Sequence, residues 1–299
     1  MPISCYSQHN VCHSNQLDKI YSLILIIFFK RMTKYLKLLF FIYFISASVS
    51  ANPFENTNLS PGDISNWSQP YIYEKNEILV VDIKSTHEIL RALVPEPLIP
   101  NTENIIKLYI ANLSLVKPAN FSYPEAGLVI PVTYNDKRDD NKNLEKFYVP
   151  ILYLDQIGPI IGGREIYGFP KHEAEIEILR TPKFIHGIVK RHGEKIIDIR
   201  MDLENRIEQI SGERHWDALA YKRIPSVNLK NEYAVRQITS TTITTTKIHE
   251  QFSGKVTLNF YSTLSDPLGE IKVLDVGVGI FQIDDYIMPE GKVLYDYLK

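Results

Sequence analysis

The sequence has 299 residues, of which 44% are hydrophobic and 23% are charged, so the chain can bury a globular core. Its formal net charge of −2 argues against nucleic acid or an anionic membrane as a partner, because both attract strongly basic surfaces. The 18 tyrosines and the recurring apolar runs with β-branched residues favour strands over helices.

The N-terminal segment is typical of a secretory signal peptide. Residues 32–51, MTKYLKLLFFIYFISASVSA, combine two early lysines, an apolar block and small residues before an expected cleavage site after Ala51. We therefore predict that translation starts at Met32 and that residues 1–31 are an upstream extension. Residues 52–299 would then form one exported domain, either periplasmic or secreted.

An uncleaved membrane anchor is the alternative interpretation of this segment. Its apolar blocks are each shorter than the roughly 18 uninterrupted residues of a spanning helix, so no stable membrane insertion is expected after cleavage. Both cysteines, Cys5 and Cys12, precede the cleavage site. The mature domain is therefore predicted to fold without disulfides despite an oxidising compartment.

Patterns of alternating polar and apolar residues predict most of the secondary structure. Strands are expected at 77–83, 105–116, 127–134, 146–154, 173–180, 184–193, 194–203, 237–252 and 254–262, with one or two more in 271–287. A short helix is expected in 86–98, capped by Thr86 and stopped by Pro95, a loop at 135–143, and a helical or irregular segment at 204–223. The predicted fold is mainly β (α+β), with an antiparallel sheet closing into a barrel or cone and a few short helices.

Several common catalytic patterns are absent from the sequence. There is no G-x-S-x-G turn for a hydrolase serine, and no cysteine remains in the predicted mature chain. His186 and His192 have no third ligand at a recognised spacing, so solvated histidines are favoured over a metal site. Gly277 and Gly279 precede no predicted helix, which argues against a dinucleotide site. Neither a metal nor a cofactor is predicted.

One lysine lies in an unusual context. In GGREIYGFPKHEAEI (162–176), Lys171 follows the mostly apolar run Ile157–Phe169. An ordinary lysine has a pKa near 10.4, so about one amine in a few thousand is uncharged and nucleophilic at pH 7. Lowering that pKa to about 6 requires on the order of 6 kcal/mol against the ammonium, which burial can supply. The alternative is that Lys171 lays its stem on Phe169 and its ammonium in solvent.

The segment around Lys171 resembles the lysine segment of the acetoacetate decarboxylase family, in which glycine-arginine-glutamate precedes proline-lysine. Further similar segments follow the family's order over roughly residues 70–299: VPEPL (94–98), YPEAGLVIPV (123–132), LYLDQIGPIIGGRE (152–165) and VLYDYLK (293–299). The resemblance implies the family's fold, a small β-keto acid as the substrate and assembly into a homo-oligomer.

The resemblance also implies roles for individual residues. Lys171 matches the lysine that forms the Schiff base, and Glu125 matches a glutamate that orients substrate or handles protons. Arg164 and Glu165 match an arginine-glutamate pair with a supporting, structural role. His172 stands where the family often has a second lysine. It is mostly neutral at pH 7, and in an extended segment its side chain would point away from that of Lys171.

Two further positions depart from the family pattern. Asn76 stands where the family often has an arginine, and Tyr109 stands at an acidic family position. An arginine is a natural partner for the carboxylate of a keto acid, so its loss bears on the identity of the substrate.

The implied reaction is cofactor-independent decarboxylation of a β-keto acid, acetoacetate to acetone and CO2, by a carboxy-lyase. One alternative is an aldolase or dehydratase type of Schiff-base lyase acting on pyruvate-like substrates, which the changes at Asn76 and Tyr109 would suit. The other alternative is a non-catalytic, exported barrel that binds small ligands.

Overall fold

The structure, a computed structural model, describes Lys30 and residues 69–299 except 119, 136–142, 209–211, 229 and 231. The chain divides into two units, Met1–Asp63 and Ile64–Lys299, and the fold described below belongs to the second. The predicted signal peptide at 32–51 and most of the predicted loop at 135–143 lie outside the described residues.

The second unit is built mainly from strands. They are β1 (Tyr71–Lys84), β2 (Ile99–Pro100), β3 (Ile105–Lys117), β4 (Phe121–Thr133), β5 (Glu145–Leu154), β6 (Lys171–Glu173), β7 (Glu175–Arg180), β8 (Phe184–Arg191), β9 (Glu194–Asp202), β10 (Asn205–Arg206), β11 (Arg214–Pro225), β12 (Tyr233–Gly254), β13 (Val256–Phe260), β14 (Asp275–Val276), β15 (Gly279–Met288) and β16 (Lys292–Asp296). The helices are α1 (His87–Leu93) and α2 (Ile157–Gly162), with a π-helical turn at Gly163–Tyr167 and a 3₁₀ turn at Leu268–Glu270.

The larger sheet closes on itself. Within the described residues, seven of its strands pair in the order β4-β3-β1-β15-β12-β11-β5, and β5 pairs back onto β4. These pairings are antiparallel except that of β11 with β5, and β6 lies parallel to β5 at a branch from this ring. A second sheet has the order β13-β9-β8-β7, which contains the meander predicted over 173–203. The predicted closure of the sheet is therefore confirmed, with one parallel pairing in an otherwise antiparallel ring.

Alternate residues of the ring strands supply two separate cores, because successive side chains of a strand point to opposite faces. One face carries mostly aliphatic side chains, here called the aliphatic core: Leu79, Val81, Leu108, Ile110, Leu128, Ile130 and their neighbours. The other, here called the tyrosine face, carries Tyr73, Tyr109, Tyr123 and Tyr286 together with Leu152, Phe169, Ala218 and Ala220. The tyrosine face is where the candidate functional residues meet.

One element departs from the prediction. The segment 204–223 was expected to be helical or irregular, and this is wrong for its second half, because Arg214–Pro225 forms β11. Ala218, Leu219 and Ala220 are all buried, since β11 lies between β12 and β5 with both of its faces covered. A strand covered on both faces lacks the polar and apolar alternation that identifies a half-buried strand.

The first helix follows its prediction closely. The Thr86 hydroxyl accepts a hydrogen bond from the Ile89 N–H (3.4 Å), and the helix ends at Leu93, before Pro95. Leu90 is its one fully covered side chain, with 0% exposure in the aliphatic core. None of the described helices combines the length and apolar character needed to cross a membrane.

Candidate active site

Lys171 is the first residue of β6 and is buried on the tyrosine face. The parallel pairing of β6 with β5 sets Lys171 opposite Leu152, and only 8% of the lysine is exposed. Its Nζ donates a hydrogen bond to Oε2 of Glu125 (2.7 Å). Glu125 is itself 5% exposed. The two leading residues predicted from the sequence are therefore in direct contact, and the solvent-directed alternative for Lys171 is wrong.

The glycines before Lys171 shape the space that its side chain occupies. A Cβ atom at Gly163 would lie 2.5 Å from Cδ and 2.6 Å from Cε of Lys171, so the stem of the lysine lies against the bare backbone of the π-helical turn. Gly168 ends this turn with φ 86, in the left-handed region that favours glycine. The Phe169 N–H then donates to the Gly163 carbonyl (2.9 Å), and the chain enters β6.

Threonines of β12 hold this glycine-rich segment on the ring. The Thr239 hydroxyl donates to the Tyr167 carbonyl (2.5 Å). The Tyr167 and Thr241 hydroxyls both donate to the Pro289 carbonyl, at 2.9 and 3.1 Å. Tyr167 also packs its ring on Phe169, with the ring centroids 5.8 Å apart. The segment that delivers Lys171 is thus held by hydrogen bonds at Tyr167, the last residue of the π-helical turn.

The Glu125 carboxylate has a donor on each oxygen. The Tyr109 hydroxyl donates to Oε1 (2.7 Å), while Lys171 donates to Oε2. The antiparallel pairing of β3 and β4 sets Tyr109 opposite Gly127, two residues from Glu125 on the same face. Hydrogen bonds to a charged acceptor are among the stronger ones in proteins, so the carboxylate is held in one orientation.

Three more tyrosines surround this pair. The hydroxyls of Tyr73 and Tyr123 are 3.1 Å apart, and the rings of Tyr73 and Tyr286 stack with centroids 4.5 Å apart. The Lys171 Nζ lies 5.9 Å from the centroid of the Tyr123 ring. Burial, and then the negative charge of Glu125, raises the pKa of Tyr109 well above its usual range, and burial does the same for Tyr123 and Tyr286. These phenols therefore stay protonated and can donate hydrogen bonds.

The other residues singled out in the lysine segment lie outside this group. Arg164 has an exposed side chain whose Nη1 donates to the backbone carbonyl of Lys171 (3.1 Å), so it braces the strand that carries the amine. Glu165 is exposed, and its negative charge partly offsets the burial that lowers the pKa of Lys222. The Lys222 Nζ donates to the Ile166 carbonyl (3.1 Å). Both contacts are with the backbone or surroundings of the segment rather than with the lysine amine.

His172 lies on the opposite face of β6, as predicted for an extended segment. Its ring centroid is 6.5 Å from that of Tyr153, which belongs to the aliphatic core. Burial, followed by the positive charges of Arg191 and Arg164, lowers the pKa of His172, so the ring is neutral at pH 7.

A second buried carboxylate lies further along the tyrosine face. Asn76 is 0% exposed and donates to Oδ1 of Asp284 (3.3 Å), while Gln282 donates to Oδ2 (2.5 Å). Asn76 also accepts a hydrogen bond from the Ser114 N–H (2.9 Å). Burial raises the pKa of Asp284 to about 6, with its two amide donors lowering it only in part. Asn76 thus contacts this aspartate and the β3 backbone.

The sequence did not point to Tyr73, Tyr123, Tyr286 or Asp284. Each occupies an ordinary inward position of an alternating strand. For the three tyrosines, the only available signal was the large number of tyrosines in the sequence. Across the described ranges, no group of three or more histidine, cysteine, aspartate or glutamate side chains is arranged to hold a metal ion. The polar groups that meet on the tyrosine face include the Lys171 amine, the Glu125 and Asp284 carboxylates, and several phenols and amides.

Comparisons with known proteins agree with the family resemblance of the segment around Lys171. The sequence model of the family described as acetoacetate decarboxylase (ADC) matches residues 52–298. Acetoacetate decarboxylase 2 of Mesorhizobium japonicum is 26% identical over 233 residues, which are 77% of this chain and 85% of that protein.

Two solved structures share the fold. Acetoacetate decarboxylase from Legionella pneumophila superposes with a TM-score of 0.68 and 23% identity, over 78% of this chain and 90% of that one. The enduracididine biosynthesis enzyme MppR, complexed with the condensation product of pyruvate and imidazole 4-carboxaldehyde, superposes with a TM-score of 0.66 and 16% identity, over 83% and 99% of the two chains. The family match spans most of the sequence, and the chain belongs to the acetoacetate decarboxylase family.

Proposed function

We propose that this protein is a Schiff-base carboxy-lyase that decarboxylates a β-keto acid, with acetoacetate giving acetone and CO2. The observation that carries the proposal is the buried Lys171 amine, 2.7 Å from the Glu125 carboxylate. Membership of the family and the relatives named acetoacetate decarboxylase support the same reaction. The substrate is a small molecule, because the reacting amine lies within a buried cluster of side chains.

The proposed chemistry begins at the amine. Uncharged Lys171 attacks the ketone carbon, and loss of water from the carbinolamine leaves a protonated imine. The imine carbon is β to the carboxylate, so the bond to CO2 breaks with its electron pair moving onto the imine. The product is CO2 and a neutral enamine. A proton then adds to the enamine carbon, and water releases acetone and restores the amine.

Glu125 is the candidate for the proton transfers. It contacts Nζ directly, so it can accept a proton from the ammonium before attack and return one later. Transfer of one proton within this pair leaves its total charge unchanged, which matters for two groups that are both buried. As proposed, the reaction uses neither a metal nor an organic cofactor, because the protonated imine is itself the electron sink.

Reductive trapping tests the proposal. The mature protein is incubated with acetoacetate and borohydride, digested and mapped by mass spectrometry, while CO2 release is measured without borohydride. We expect one adduct, on Lys171, together with CO2. The Lys171→Arg variant keeps a cation beside Glu125 but cannot form the imine, so it should give neither signal. Lys146 is an internal control, because it is equally buried but pairs with Asp217 (3.7 Å). CO2 release without an adduct, or an adduct elsewhere, would contradict the mechanism.

A second candidate is aldol or dehydration chemistry on a pyruvate-like substrate through the same imine. Asn76 and Tyr109 favour it, since neither supplies the cation or the acid expected at those family positions. The fold shared with MppR, whose complex contains a condensation product of pyruvate and an aldehyde, also supports it. Condensation of pyruvate with an aldehyde, with no CO2 from acetoacetate, would favour this candidate. No adduct with either substrate would favour a non-catalytic binding protein.

We also propose that the protein is exported after cleavage following Ala51 and that it assembles as a homo-oligomer. The basic and apolar pattern of residues 32–51 supports export, and family membership supports assembly. The intact mass of the protein recovered from its native cells would locate the N-terminus. Light scattering of the same sample would give the number of subunits.

A further inference from the structure

Tyr109 occupies a position at which it can act on the amine without touching it. Its hydroxyl donates to Oε1 of Glu125 (2.7 Å), and the other oxygen accepts from Lys171 (2.7 Å). Among the hydrogen bonds of the described residues, the Glu125 carboxylate joins the phenol of Tyr109 to the amine of Lys171. An effect of Tyr109 on the amine by hydrogen bonding therefore passes through Glu125.

The ring of Tyr109 is fixed by its own packing. Tyr109 of β3 lies opposite Gly127 of β4, where an added Cβ would be 3.2 Å from the ring atom Cε1. The bare glycine thus lets the ring lie close to the backbone of β4, with its hydroxyl directed at the carboxylate two residues earlier. Because burial keeps this phenol protonated, it remains a donor at ordinary pH.

The two donors differ in what happens to them during the reaction, if Lys171 forms an imine as proposed above. The lysine nitrogen gives up hydrogens when it becomes a free amine and then an imine, so its hydrogen bond to Oε2 changes through the cycle. The phenol of Tyr109 takes part in no bond-making step and keeps its hydrogen. A buried carboxylate that lost all its donors would be strongly destabilised or would swing towards another partner.

We propose that Tyr109 is a positioning residue that holds the Glu125 carboxylate against the Lys171 amine throughout the reaction. It also draws negative charge towards Oε1, which weakens the hold of Oε2 on the ammonium. This inference rests on the proposed function, because it assigns Tyr109 a part in the same site. Tyr109 stands where the resemblance implies an acidic family position.

The test is a double-mutant cycle read out on the reactivity of Lys171. An amine-directed aryl ester acylates the protein at fixed pH, and peptide mapping follows acylation of Lys171 in the wild type, Tyr109→Phe, Glu125→Ala and the double variant. We expect Tyr109→Phe to slow this acylation about tenfold when Glu125 is present, as loss of one hydrogen bond to a charged group would. In the Glu125→Ala background, the same change should alter the rate less than twofold.

A matched control separates this role from a general packing effect. The Tyr134 hydroxyl donates to the Leu294 carbonyl (3.0 Å) in the aliphatic core, so Tyr134→Phe also removes a buried tyrosine hydrogen bond. It should leave Lys171 acylation within twofold of wild type. Equal slowing by Tyr109→Phe with and without Glu125, or no slowing at all, would overturn the inference.

Lys171 acylation distinguishes a failure of the positioning role from a failure of the proposed reaction. Acylation needs no keto acid, so the cycle can be completed even if no substrate is decarboxylated. If trapping with acetoacetate fails but the cycle shows coupling, the proposed reaction is wrong while the positioning role stands. If the protein does decarboxylate acetoacetate, Tyr109→Phe should lower kcat about tenfold and change KM less than threefold, because a positioning residue does not bind the substrate. A change confined to KM would contradict the positioning role.

Discussion

The two faces of the ring sheet bury very different side chains. The aliphatic core consists mainly of leucine, isoleucine and valine, and most of these residues are 0–2% exposed. The tyrosine face buries Lys171, Glu125, Asn76 and Asp284 among aromatic rings. The same strands supply both faces through alternate residues, so the difference lies in the side chains rather than in the backbone.

Because of this difference, we expect the aliphatic core to determine stability and the tyrosine face to determine chemistry. Apolar burial stabilises a fold in proportion to the area removed from water, at about 25 cal/mol per Å², and the aliphatic core supplies this. A buried ion pair such as Lys171–Glu125 contributes little net stability, because desolvating two charges offsets their attraction. The polar groups on the tyrosine face are therefore expected to be dispensable for folding when they are removed together, but necessary for function.

The largest expected effect on activity and stability comes from changing the Lys171–Glu125 ion pair. Lys171→Met alone should abolish adduct formation, by more than about a thousandfold, and should also lower the free energy of unfolding by about 3 kcal/mol, because Glu125 is left buried without its cation. Adding Glu125→Gln removes the unpaired charge and keeps an acceptor for Tyr109. The double variant should thus regain most of the lost stability while remaining inactive.

Denaturant unfolding of the wild type, the single variant and the double variant measures this directly. A double variant that is less stable than Lys171→Met would show that the pair contributes to folding, and the proposed division between the two faces would be wrong.

The converse experiment changes the aliphatic core. Leu90 is fully buried in the middle of α1, and alanine is a good helix former, so Leu90→Ala leaves a cavity without weakening the helix. We expect a loss of about 2–5 kcal/mol in the free energy of unfolding, with unchanged trapping of Lys171 per folded molecule. Glu88→Ala on the exposed side of the same helix is the control and should change stability by about 0.5 kcal/mol or less. Loss of trapping in folded Leu90→Ala would mean that the two faces are coupled.

The sequence predicted the half-buried parts of the fold well. Strands such as β8 and β9 alternate polar and apolar residues, and the helix α1 begins at a threonine cap and ends before a proline. The prediction failed at β11, where both faces are covered and the alternation is lost. No local sequence pattern predicts the parallel pairing of β5 with β11, because the two strands are far apart in the sequence.

The site was predictable only in part, and for a similar reason. Lys171 and Glu125 were identified through their resemblance to the family, and the structure brings them into contact. Their surroundings were not predicted, because Tyr73, Tyr123 and Tyr286 lie on three different strands whose register sets their meeting. Periodicity shows which side of a strand a residue occupies, but not which residues of other strands it faces.

The next prediction concerns pH. Burial raises the pKa of Asp284 to about 6, against an ordinary value of 3.8, so the folded state holds this proton more tightly than the unfolded state. Its contribution to stability is therefore largest below about pH 4 and is lost as the pH rises through 6, by roughly 3 kcal/mol at most. Asp284→Asn removes this titration. The free energy of unfolding of the variant, measured from pH 4 to 8, should rise relative to wild type across this window, whereas a constant difference would contradict the assignment.

The smallest expected effect concerns the glycine under the lysine stem. Gly163→Ala places a methyl group 2.5 Å from Cδ of Lys171, so the side chain must shift and its amine must leave the best position beside Glu125. We expect reductive trapping to slow about tenfold, as misplacement of a reacting group by a fraction of an ångström can do, with the fold retained. Gly158→Ala is the matched control, because Gly158 lies in the preceding helix α2 with no atom within 4 Å of the added Cβ. It should leave trapping unchanged and increase stability by up to about 1 kcal/mol. Equal trapping rates in the two variants would mean that the position of the lysine stem does not control the reactivity of its amine.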